Sequence, residues 1–210
     1  MKTGFDRKAE GWDTEYRIRR AKIIADAIAA QAQFRKSDSV LEFGCGTGLI
    51  SFNLIDKFDN LMLVDSSQAM LDKAKEKIEA GYSDKKISLA DSVFTLADAS
   101  YDCVYSSMVL HHIKDLAPYA AAFSRILKTG GRLCIADLMT EDGSFHSDVP
   151  GFDGHNGFDP EELSALFAAR SFTKTHLSVI YTGTKTNDSV TSEYSLFLLT
   201  MTKTEAPCSA

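Results

Sequence analysis

Apolar positions change their spacing along the chain, and the changes mark its elements. Between residues 16 and 34, Ile18, Ala21, Ile24, Ala25 and Ile28 recur at helical spacing. Val40, Leu41 and Phe43 then form a short apolar run that reads as a buried strand, and Leu49, Ile50 and Phe52 open a helix reaching about Phe58. "NLMLVD" (60–65) reads as a second strand, and "SQAMLDKAKEKIEAG" as an amphipathic helix capped by serine and stopped at Gly81. "KISLAD" (86–91) and the start of "YDCVYSSMVLHHI" (101–113) predict strands three and four, the latter ending near Ser106. A helix follows from about Ala117 to Leu127, "TGG" breaks the chain, and "RLCIADL" (132–138) predicts a fifth strand. Pro160 suits the first turn of the next helix, "PEELSALFAARS". "FTKTHLSVIYT" and "EYSLFLLTMT" predict two last strands, with "GTKTNDSVTS" as a polar loop between them.

Strands alternating with helices imply an α/β fold with a parallel sheet covered on both faces, and two consecutive final strands imply an antiparallel hairpin at one end. The polar, glycine-containing segment 139–158 is longer than an ordinary connection and is a candidate lid. The expected organisation is an N-terminal helical flap over 1–34, one domain over 35–204, and a frayed tail over 205–210.

At 210 residues, 44% hydrophobic and 25% charged, the chain fits a single globular domain with a sizeable core. A net charge of -6 argues against nucleic acid as a partner. The basic "YRIRRAK" at 16–22 reads as a solvated helix face, with an anion site as the lesser reading. Cys45, Cys103, Cys134 and Cys208 form no CxxC pair, so no metal site is expected from them. The start lacks the apolar core of a signal peptide, and no apolar run approaches a membrane span. A cytoplasmic, soluble protein is the expectation.

The candidate chemistry sits in "VLEFGCGTGLIS" (40–51), where Gly44, Gly46 and Gly48 alternate directly after a strand carrying Glu42. Glycine lets backbone approach a ligand without a Cβ in the way. Leu49 stands where the dinucleotide fingerprint needs its third glycine, and no Walker lysine follows. Glu42, Asp65 and Asp91 fall at or near the carboxyl ends of successive strands, where open α/β sheets bind ligands. An acid beside the glycine turn suits a cationic group better than a pyrophosphate. S-adenosylmethionine, with its ammonium and ribose diol, fits that arrangement.

"EFGCGTG", "LVDSSQAML", "LADSVF", "YDCVYSSMVLHHI" and "LKTGGRLCIADL" occur in this order, and with them the sequence resembles the class I S-adenosylmethionine-dependent methyltransferases, in their small bacterial-type (type 11/12-like) form. The resemblance covers about Val40 to Leu138 by motif and the rest by element order. It implies a Rossmann-like, doubly wound, seven-stranded, mostly parallel sheet with a reversed C-terminal hairpin and helices on both faces. It implies that Gly44 and Gly46 carry the amino-acid end of the cofactor, with Glu42 near the ammonium. Asp65 would accept from the ribose hydroxyls, Met70 would pack on adenine, Asp91 would accept from the adenine amino group, and Ser92 would offer its N–H. Cys45, Gly48, Ser66 and Ser107 complete the expected cofactor set, and the product would be S-adenosylhomocysteine.

Methyl transfer from a sulfonium needs alignment, plus a base only where the nucleophile must lose a proton. His111 and His112, just past the fourth strand, are the candidate bases, with His112 the expected one and loss of His111 expected mainly to affect stability; His155 is a third candidate. His146 and His176 read as bystanders. Phe5, Trp12 and Asp13 read as part of a flap over the cofactor. The expected acceptor is a small molecule and the protein a monomer or homodimer. The rival is a catalytically silent S-adenosylmethionine-binding regulator on the same fold.

Overall fold

The protein is described by a computed structural model over residues 4–187 and 190–205. Cys208 and all but the first residue of the expected tail lie outside the described residues. Short helix α1 (Gly4–Lys8) and a 3-10 turn precede α2 (Glu15–Ala32), whose cap is Thr14: its Oγ1 accepts the Arg17 N–H at 3.3 Å. There follow β1 (Ser39–Phe43), α3 (Ser51–Leu54), β2 (Asn60–Val64), α4 (Gln68–Gly81), β3 (Lys86–Ala90), β4 (Tyr101–Ser107), α5 (Ala117–Ile126), β5 (Leu127–Leu138), α6 (Pro160–Ala168), β6 (Phe172–Asn187) and β7 (Val190–Lys203). Ser67 caps α4 and Asp159 caps α6, one residue before the proline.

The seven strands form one sheet in the order β3-β2-β1-β4-β5-β7-β6. The first five are parallel, and β7 runs antiparallel to both its neighbours. Successive strand residues face opposite sides. Val40, Cys103 and Tyr105 therefore join α2, α3 and α4 in one core layer, while Leu41, Val104 and Ile135 join α5 and α6 in the other. Chain direction across the sheet reverses between β1 and β4, which opens a crevice at their carboxyl ends. No described helix is long and apolar enough to cross a membrane.

Two expectations about strand limits need correction. Residues 183–187 and 190–192, expected in a loop, are strand, because β6 and β7 stay paired out to Asn187 opposite Val190. Threonines favour extended backbone, and Thr182–Ser195 and Thr186–Thr191 join their hydroxyls across the ladder at 2.9 and 2.8 Å. "TGG" does not precede the fifth strand but lies within it. Tyr101 pairs with Leu127 and Cys103 with Arg132, so residues 128–131 bulge out of the ladder.

Candidate active site

The turn after β1 is held by its neighbours. Gly44 and Cys45 both donate their N–H to Val64 O, at 2.7 and 3.0 Å, which ties it to the end of β2. The Asp65 carboxylate reaches back, accepting the Gly46 N–H at 2.7 Å through one oxygen and the Ser67 N–H at 2.8 Å through the other. Burial raises the Asp65 pKa against the pull of those two donors.

A cavity of about 750 Å³ opens above this turn, within the ordinary range for small-molecule sites. Of the expected cofactor residues, Glu42, Gly44, Cys45, Gly46, Asp65, Ser66, Met70, Asp91, Ser92 and Ser107 all line it. Gly48 does not. It has φ +82°, and a Cβ there would lie 2.4 Å from the Phe52 ring, so its duty is to let the turn pack on α3. Gly46 is the opposite case: an added Cβ would meet only Trp12 Nε1, at 3.5 Å. The expected flap residues Phe5 and Trp12 line the cavity, and Asp13 fastens their segment to Thr47 and to Lys77, each at 2.5 Å.

Glu42 is buried beneath the turn. Its Oε2 accepts from Ser51 Oγ at 2.5 Å, and Ser51 Oγ bonds the Tyr105 hydroxyl at the same distance. Burial pushes the Glu42 pKa up to about 8 despite these bonds, so near neutrality the ligand-free acid is largely protonated. A cationic ligand group overhead would favour its ionised form.

The far wall holds the histidines. His111 is buried, and its Nδ1 hydrogen-bonds the Asp137 carboxylate, 2.5 Å from Oδ1. Asp137 also accepts the N–H groups of Leu110 (3.0 Å) and Leu138 (2.8 Å). Burial opposes its ionisation, but His111 and the Leu138 N–H outweigh that and hold Asp137 below the usual carboxylate range. Asp137 was missed in the sequence because "CIADL" reads as plain strand; an acid inside an apolar run is the signal that could have found it.

His112 fits its expected role poorly. Phe5 and Phe152 pack edge-on against its ring, and His146 lies 5.0 Å away. Burial first, then the neighbouring His111 and His146, push its pKa down to about 3, so its titration cannot lower a rate in mildly acid solution. The carboxylate-oriented ring is His111, the one expected to be structural. His155 is not on this wall: it stacks near Phe158, bonds Ile113 O at 3.0 Å, and lines a separate, shallower pocket with Thr140 and Glu162. His146, read as a bystander, joins the site, stacked on Phe152 at 3.9 Å with a pKa lowered to about 4, chiefly by burial. It comes from the 139–158 segment, whose Phe145, Val149 and Phe152 also wall the cavity. The basic stretch divides likewise: Arg17 and Arg20 line the cavity, while Arg19 and Lys22 pair with Glu15 and Asp26 in solvent.

Residues 41–135 match the family described as "Methyltransferase domain". The chain is 35% identical over 146 residues to an uncharacterized methyltransferase of Schizosaccharomyces pombe, covering 61% of this chain and 51% of that protein. It is 29% identical over 145 residues to another from Geobacillus, covering 66% and 64%. The chain thus spans between half and two thirds of the length of these relatives. The solved structure of a SAM-dependent methyltransferase from Aquifex aeolicus superposes with a TM-score of 0.70 over 94% of this chain and 98% of that one, at 14% identity.

Two outcomes are expected from the turn and its buried acid. Both glycines are left-handed, so each alanine costs about 1–2 kcal/mol of stability; Gly48→Ala adds the clash with Phe52, whereas Gly46→Ala lowers cofactor affinity more than about tenfold. Calorimetry and urea unfolding separate the two, and equal affinity loss in both would contradict the division. For Glu42, a folded pKa near 8 against an ordinary 4.5 means that stability is full below the latter and falls as pH rises through the former. Glu42→Gln keeps the bond from Ser51, so urea midpoints of the ligand-free variant, relative to wild type, should rise between pH 5 and pH 8; a constant difference would refute the shift.

The described cavity, the ordered strand-end acids and these matches agree: residues 41–135 belong to a methyltransferase domain, set in the fold of the class I S-adenosylmethionine-dependent methyltransferases.

Proposed function

We propose that this domain methylates a small, anionic molecule bound between the histidine wall and the N-terminal flap. One observation carries the reading: a single cavity joins the glycine turn and strand-end acids to a second, aromatic and basic half. The fit to the cofactor is physical. Gly46 leaves its approach open, and the acids Asp65 and Asp91 stand on the cavity wall where hydroxyl and amino donors can reach them. When bound, the cofactor supplies an electrophilic methyl group on a sulfonium.

The chain's own residues then have separable tasks. The turn and Glu42 receive the cationic amino-acid end. Asp65 is already committed to Gly46 and Ser67, so its free lone pairs hold a ribose donor in a position the backbone dictates. Phe5, Trp12, Phe145 and Phe152 exclude water from the acceptor half. Lys8, Arg17 and Arg20 line the same cavity and make its acceptor half attractive to an anion, while Lys185 is paired there with Asp148. Arg17 is already oriented, with its guanidinium 4.2 Å from the Trp12 ring centroid and Nη1 donating to Trp12 O at 3.0 Å. A small acceptor follows because the chain's own flap and the 139–158 segment close over it.

Asp91 is exposed on the cavity wall, so it tests the cofactor placement more cleanly than Asp65, whose loss would also release the turn. Asp91→Ala should weaken S-adenosylhomocysteine binding about tenfold, the scale of one hydrogen bond of roughly 1–1.5 kcal/mol, with an unchanged unfolding midpoint. Incubation of the wild-type protein with methyl-labelled cofactor and a fractionated metabolite pool should label an anionic small molecule. Cofactor binding without labelling of any small molecule would favour a silent regulator; labelling of protein or nucleic acid alone would refute the acceptor class.

A further inference from the structure

Three histidines from two separate segments converge on the cavity wall: His111 and His112 from the turn after β4, and His146 from the segment after β5. One ring nitrogen from each lies within 4.8 Å of the others, and among the described residues this is the one such cluster of three or more possible metal ligands. Packing of aromatic rings does not account for it. His111 Nε2 and His146 Nδ1 are both buried and have no hydrogen-bond partner, on side chains only 1% and 6% exposed. Buried ring nitrogens are ordinarily satisfied, so two orphans facing one region call for a shared ligand.

We propose that His111, His112 and His146 bind a divalent transition metal of the zinc class, with its fourth position open to the acceptor. Imidazole suits zinc, and three protein ligands with one open position are the pattern of a reactive rather than a structural site. Zn–N bonds of about 2.0–2.1 Å in tetrahedral geometry place ligand nitrogens roughly 3.4 Å apart, so the rings need to close by little more than about 1 Å. Asp137 supplies the supporting shell. It holds His111 Nδ1 at 2.5 Å, which leaves Nε2 as the nitrogen free to ligate, with the carboxylate on the other side of the ring. A carboxylate behind a metal-bound histidine fixes the tautomer and raises the ligand's basicity.

The use of this site rests on the methyl-transfer reading; the binding itself does not. An acceptor hydroxyl or thiol that coordinates at the open position releases its proton to solvent and keeps the electron pair on the coordinated atom, ready for attack on carbon.

The test uses tag-free, chelator-stripped protein titrated with Co2+ and then with Zn2+. One equivalent of Co2+ per chain should produce the intense visible absorption of a four-coordinate ion, and Zn2+ should abolish it. His146→Ala and His112→Phe should lose the spectrum while circular dichroism and the unfolding midpoint show a folded protein. Asp137→Asn should bind Zn2+ some 10–100-fold more weakly, the usual effect of losing such a support. A folded wild-type protein that takes up neither ion, or His146→Ala and His112→Phe proteins that both bind Co2+ like wild type, would overturn the proposal. Calorimetry with S-adenosylhomocysteine on the same stripped protein reads the methyl-transfer assignment separately, so a failure of either is recognisable by itself.

Discussion

The carboxylate of Asp65 is the constraint from which the site is built. By accepting the N–H of Gly46 through one oxygen and that of Ser67 through the other, it fastens the turn after β1 to the start of α4. Gly44 and Cys45, donating to Val64 O, fasten the same turn to β2. Together these bonds hold the glycine backbone open toward the cavity before any ligand arrives. Under the proposed function the same acid would also take a ribose hydroxyl, so that loop shape and ligand recognition would share one side chain. Such preorganisation reduces the ordering cost of binding.

Two buried polar systems flank that turn and differ in consequence. Beneath it, Glu42, Ser51 and Tyr105 form a chain with no basic partner in its bonds, and burial favours the protonated acid. Across the cavity, Asp137 has His111 and two backbone donors, and stays ionised. One acid is therefore poised to respond to a ligand's positive charge, while the other is committed to orienting a ring. The strand ends place both beside one crevice.

Much of the fold was legible in the chain because each element carries its own local signal: period-2 or continuous apolar strands, helical stripes, and caps such as Ser67 and Asp159. The cofactor half was legible for a related reason. Its residues sit in contiguous stretches at successive strand ends, and ten of the eleven expected residues line the cavity, Gly48 alone turning to packing. The acceptor half was not, because it is assembled from distant segments. His146 is 34 residues from His112 in the sequence yet meets it in space, and Asp137 hides in an apolar strand; neither periodicity nor spacing encodes that meeting. The hairpin was misjudged for a different reason: threonine, lysine and asparagine look like loop composition until their cross-strand partners are known.

In the proposed reaction, one cavity presents the donor's methyl group to the histidine wall. Cofactor labelled with ¹³C at the transferable methyl, bound to the protein with imidazole rings also labelled, tests it through nuclear Overhauser contacts. Contacts are expected from the methyl protons to ring protons of His111 or His112. Contacts confined to Met70, with none to either histidine, would place the methyl away from the histidine wall and contradict this.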